Sequence, residues 1–151
     1  MALYLEDLSV GQKFRSASYE MTQEELIHFA RVNDPQFFHV DPEAAKESVF
    51  GGLIGCGWQT AALAVRLMLE SAPAPFAGGV VGSEVHMSWK LPVRPGDRLR
   101  VEAEITKITT SRSRKDRGFV DFHIDTFNQD DQLVQRMQTT IVVFRDPARA
   151  A

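Results

Sequence analysis

The spacing of apolar positions changes character partway along the chain: up to about residue 70 it is mostly helical, and beyond residue 80 apolar and polar residues alternate. After an early strand around Gln12 to Met21, "TQEELIHFARV" places Thr22 and Glu25 at capping-box spacing and Leu26, Phe29 and Ala30 on one helical face. This predicts a helix from Thr22 to about Asn33. Pro35 ends it, because proline keeps Asp34 extended and has no N–H for a helical ladder. In "DPEAAKES", Asp41 suits an N-cap and Pro42 the first helical position, so one or two short turns follow and Asp41 has a structural role. "GWQTAALAVRLMLE", Gly57 to Glu70, carries little charge and is predicted to be a long, largely buried central helix. "SAPAPFAGG", Ser71 to Gly79, is a loop.

Beyond that loop Val85, Met87, Trp89 and Leu91 alternate with Glu84, His86, Ser88 and Lys90, which predicts a half-buried strand. Pro95 to Asp97 is a turn. Leu99, Val101, Ala103 and Ile105 then define a second strand, Val120, Phe122 and Ile124 a third, and "LVQRMQTTIVVF" a fourth beyond the turn "NQDDQ". Consecutive strands of this kind predict an antiparallel meander. The fold expected is α+β: an antiparallel sheet of about five strands wrapped around one helix, with Ala61, Ala62 and Ala64 allowing close approach. No repeat or linker interrupts the 151 residues, so residues 1–151 read as one domain.

Composition narrows the class. Seventeen Lys and Arg against twenty Asp and Glu give a net charge of -3, which offers nucleic acid no basic field. The first ten residues lack the basic-then-apolar layout of a signal peptide, and the glycine-rich uncharged stretch before Arg66 suits no membrane span. Cys56 is the one cysteine, so a disulfide or a cysteine cluster around a metal is excluded within one chain, and a cytoplasmic setting fits best. His28, His86 and His123 stand at no metal-ligand spacing, and no glycine-rich nucleotide fingerprint follows a strand, so no redox cofactor is implied.

Candidate chemistry concentrates in "NDPQFFHVDP", Asn33 to Pro42. Asp34 and His39, on a proline-stiffened, non-helical segment, can converge on one water and move protons near neutral pH. The plainer reading is that Asp34 bonds turn amides and His39 is a satisfied loop residue. Gly55 to Gly57 lie where the central helix begins; amides there can hold an incoming oxygen, or glycine there only relieves crowding. Cys56 beside a helix start has access to a lowered pKa, but without a general base in reach it reads as a small buried residue. Phe37 and Phe38 are expected to place one ring inward, with Trp58 along an acyl channel, and one in the packing. "TTSRSRKDRG" carries Arg112, Arg114, Lys115 and Arg117, either to hold phosphates or as a solvated hairpin tip.

Four stretches carry a family resemblance covering nearly the whole chain in order: "YLEDLSVGQKF", "DPQFFH", "FGGLIGCGW" and "KLPVRPGD". The chain resembles the hotdog-fold MaoC-like dehydratases, which include the R-specific enoyl-CoA hydratases. The resemblance implies a hotdog fold and a hydro-lyase acting on 2-enoyl thioesters, with Asp34 and His39 as the hydration pair and the Gly57 N–H holding the thioester oxygen. It implies an acyl-CoA or acyl carrier protein thioester bound by Gln36, Phe37, Phe38, Phe50, Cys56, Trp58, Arg112 and Arg114. It also implies coenzyme A only as part of the substrate, no metal, and a homodimer or higher homo-oligomer. The family's usual Gly before the Asp is Asn33 here, its Asn two residues after the Asp is Gln36, and a Ser that some members place in the central helix aligns near Val65. A hotdog acyl-CoA thioesterase and a non-catalytic acyl-thioester-binding subunit are the alternatives.

Overall fold

The computed structural model describes residues 1–149. The capping box forms as the sequence predicts: Thr22 Oγ1 accepts from the Glu25 N–H at 3.2 Å, and α1 spans Gln23–Asn33. Asp34 is its C-cap, and Pro35 directs the chain away. The segment that follows is not wholly non-helical. Phe37–Val40 form one helical turn, α2, because Pro35 bars the helical region to the residue before it and not to those beyond. Asp41 then caps α3, Pro42–Ala45, accepting from the N–H groups of Glu43 and Ala44. The long helix α4 runs Gly57–Ser71, with Ala61, Ala64, Leu67 and Met68 buried. Ala62 lies on its exposed face and takes no part in the approach to the sheet.

The early strand is broken in two, β1 (Lys13–Arg15) and β2 (Tyr19–Glu20), and the others are β3 (Val81–Trp89), β4 (Arg98–Thr110), β5 (Arg117–Phe127) and β6 (Leu133–Phe144). They make a six-stranded antiparallel sheet of order β1-β4-β5-β6-β3, with β2 paired to β4. Val101, Ile105, Val120, Phe122, Ile124 and Val143 form its buried inner face, and α4 packs against β1, β4, β5 and β6. This is the hotdog fold. Among the described residues α4 is the longest helix, and none is long and apolar enough to cross a membrane.

The meander is confined to β4, β5 and β6. Strand β3 does not precede β4 in space; it closes the far edge of the sheet beside β6. Its apolar stripe is only partly covered: Val85 is 53% and Trp89 47% exposed, Met87 packs against the core, and Leu91, 40% exposed, lies beyond the end of the strand. The alternation identified the stripe correctly, but the edge strand meets its own chain only at its end, where Met87 packs on the core and Trp89 on the start of α4, and Val85 is left uncovered.

Candidate active site

Three helix ends meet at one point. Asp34 closes α1, His39 sits on α2, and Cys56 and Gly57 open α4. The short segment leading into α4 is anchored on both sides, by Ile54 N–H to the Phe38 carbonyl at 3.1 Å and Gly55 N–H to the Val93 carbonyl at 2.8 Å. His39 is buried, and its Nδ1 is 2.8 Å from the Ile54 carbonyl, which can only accept, so Nδ1 carries the proton. Nε2 is thereby turned toward Asp34 Oδ2 at 3.3 Å. Two lone pairs facing each other at that distance would repel, so the contact is favourable when a proton lies between them. The Asp34 side chain is 27% exposed, and Asp34 and His39 both line the same cavity.

Gln36, expected to touch substrate, is exposed and its Nε2 instead donates to Asp34 Oδ1 at 2.8 Å. This fixes one carboxylate oxygen and leaves Oδ2 for His39. The same Oδ2 lies 3.4 Å from Cys56 Sγ. Burial pushes the Cys56 thiol up, and although the Trp58 and Gln59 amides oppose this, the Asp34 carboxylate adds to the rise. The lowered pKa available at a helix start is therefore overridden, and the thiol is poorly placed to act as a nucleophile.

Gly57 is the first residue of α4, so its N–H has no carbonyl one turn earlier in the helix to bond and lies at the positive end of the helix dipole. Its lack of a side chain is required by a residue the sequence reading placed in the strand core. A Cβ here would lie 2.4 Å from Cε2 of Trp89. The Trp89 Nε1–H donates to the Gly57 carbonyl at 3.0 Å, and its ring meets Trp58 edge to face at 5.3 Å. The glycine relieves crowding between the start of α4 and Trp89.

A cavity of about 440 Å³ is lined by Asp34, His39, Cys56, Gly57, Phe38, Phe50, Trp58 and Trp89. Phe38 is the inward ring, while Phe37 is half exposed, lies outside the lining and packs edge-on against Phe38 at 5.2 Å. Arg94, which the sequence reading did not single out, clamps the loop carrying Phe50, with Nη2 2.7 Å from the Phe50 carbonyl and Nη1 3.4 Å from that of Gly52. Arg112 and Arg114 do not join this site. They occupy the exposed tip between β4 and β5, whereas the cavity touches Val134 at the other end of the sheet, about ten strand residues or ~33 Å away.

Comparison with known proteins agrees with this architecture. The solved structure of a MaoC-like dehydratase from Rhodospirillum rubrum superimposes with a TM-score of 0.90 at 46% identity, over 97% of this chain and 99% of that one. An (R)-hydratase from A. caviae superimposes with a TM-score of 0.74 at 28% identity, over 90% of this chain and 97% of its own. A 3-hydroxybutyryl-CoA dehydratase of Methylorubrum extorquens is 29% identical over 113 residues, 74% of this chain and 69% of that protein. Residues 7–123 match the family described as MaoC like domain, and the chain belongs to that family.

Proposed function

We propose that this protein is a hydro-lyase that reversibly adds water to a trans-2-enoyl thioester. The observation that carries the reading is the 3.3 Å contact of Asp34 Oδ2 with His39 Nε2, inside a cavity whose wall includes the first amide of α4. Water held by the pair gives its oxygen to C3 and one proton to the pair, while a proton passes to C2; the sum is one H–OH across the double bond. Charge that collects on the thioester oxygen during attack is met by the Gly57 N–H. The named activities of the (R)-hydratase and the 3-hydroxybutyryl-CoA dehydratase are of this type and support the reading. The substrate is a coenzyme A or acyl carrier protein thioester, and no metal takes part.

The test is to mix the protein with crotonyl-CoA, a four-carbon member of the class, and follow loss of the conjugated enoyl-thioester absorbance. Loss without release of free thiol supports hydration. Thiol released from saturated acyl-CoA with no hydration of short, long or branched enoyl thioesters would replace the reading with a thioesterase.

Gln36 then acts as a positioning residue. Gln36→Ala is expected to lower kcat about tenfold with little change in KM, because Asp34 keeps its carboxylate but loses the donor that fixes its rotamer. An unchanged kcat would mean that His39 and Cys56 alone hold the carboxylate in place.

The uncovered β3 edge fits a homodimer in which two such edges meet. Val85 is 53% exposed at the middle of that strand. Val85→Lys is expected to shift the sedimentation coefficient to that of a 16.9 kDa monomer, since two buried ammonium groups would oppose each other across the axis. A wild-type protein already at monomer mass would remove the dimer.

A further inference from the structure

We propose that Asp34, His39 and Cys56 also form a binding site for a thiophilic divalent cation such as Zn²⁺, held where the reacting water would sit. One oxygen, one nitrogen and one sulfur from these residues lie within 4.8 Å of one another. Asp34 Oδ2 is 3.3 Å from His39 Nε2 and 3.4 Å from Cys56 Sγ. A tetrahedral ion at about 2.0 Å from oxygen and nitrogen and about 2.3 Å from sulfur separates its ligands by about 3.3 Å for the oxygen–nitrogen edge and about 3.5 Å for the oxygen–sulfur edge. Two edges of the coordination tetrahedron therefore already have the required length.

The surrounding groups orient the donors as a metal site needs. The Ile54 carbonyl takes the His39 Nδ1–H, so neutral His39 turns a free Nε2 lone pair inward, which is the usual outer support of a metal-bound histidine. Gln36 occupies Oδ1, so Oδ2 is the oxygen that faces both His39 Nε2 and Cys56 Sγ. The cavity leaves room for a water as fourth ligand. One thiolate, one imidazole and one carboxylate suit Zn²⁺ and exclude a preference for Mg²⁺ or Ca²⁺, which take oxygen ligands. On binding, the Cys56 S–H proton and the proton between Asp34 Oδ2 and His39 Nε2 pass to solvent as the bonds to the metal form, and no oxidation state changes. Because the ion takes the atoms that would hold water, it is an inhibitor of the proposed chemistry and not its cofactor. The site itself rests on the three side chains and not on the hydratase reading.

Zn²⁺ titrated into the chelator-treated 151-residue chain against a chromophoric zinc indicator is expected to show one ion per chain, and Co²⁺ in its place a thiolate-to-cobalt charge-transfer band. Cys56 is the only cysteine, so that band assigns the site in the wild-type protein without reliance on any variant. Cys56→Ser is expected to abolish the band and to weaken zinc by more than the roughly 10- to 100-fold that loss of an outer-shell partner costs. A cobalt complex without the thiolate band, or zinc affinity unchanged in Cys56→Ser, overturns the proposal. These readouts involve no turnover: zinc bound through Cys56 in a protein that hydrates nothing would sink the hydratase reading alone, and a hydratase whose cobalt complex lacks the band would sink this one alone.

Discussion

Asp34→Asn is expected to lower crotonyl-CoA hydration by about 10²- to 10⁴-fold, the span associated with loss of a positioned proton-transfer group. The substitution is nearly isosteric, and the local bonds explain why its effect should be confined to chemistry. The amide oxygen can still accept from Gln36, as Asp34 Oδ1 does at 2.8 Å, and the amide nitrogen can donate to His39 Nε2 across the 3.3 Å contact. Geometry survives while the group that takes up and returns a proton is gone. The melting temperature should stay within about 3 °C of wild type, roughly the shift that a 1 kcal/mol change produces in a chain of this size. His39→Gln is expected to fall in the same range of activity. The double variant should be no worse than the poorer single, because groups that share one proton act as a unit and their losses do not add. Hydration retained in Asp34→Asn would show that the pair is structural.

That pair was legible in the sequence for a local reason: Pro35 fixes the chain as it leaves α1, and five residues then bring His39 back beside Asp34. The orienting role of Gln36 depends on a tight turn that residue types alone do not reveal: the Gln36 N–H bonds the Asp34 carbonyl at 2.8 Å, and this brings its side chain back to Asp34 Oδ1. Other parts depend on partners remote in sequence. Alternation identified the apolar stripe of β3 without revealing that the strand lies beyond β6, because period two specifies a face and not a neighbour. Arg94 looks like any cation in a turn until Phe50 and Gly52 present carbonyls to it from 44 and 42 residues away. Arg112 and Arg114 failed to reach the site for the converse reason: a cluster of charge says nothing about which end of the sheet its hairpin occupies.

Gly57→Ala is expected to lower kcat about 10²-fold or more, the cost of misplacing one donor to a developing oxyanion, and to destabilise the fold by about 1–3 kcal/mol, the cost of overpacking. The added methyl would sit 2.4 Å from Cε2 and 2.5 Å from Nε1 of Trp89, so the indole or the start of α4 must move. If the indole moves, its bond to the Gly57 carbonyl and its contact with Trp58 are lost; if the helix start moves, the amide leaves the position where the thioester oxygen is held. Trp58 and Trp89 are the only tryptophans in the chain, so a change in fluorescence emission reports the first response. A second variant separates the clash from the amide: with Trp89→Leu added, the methyl has room, and activity should recover relative to Gly57→Ala alone if displacement of the helix start is what costs turnover. Wild-type kcat in Gly57→Ala with an unchanged emission spectrum would mean that this amide is not the oxyanion donor, and that the glycine serves only the tryptophan packed against it.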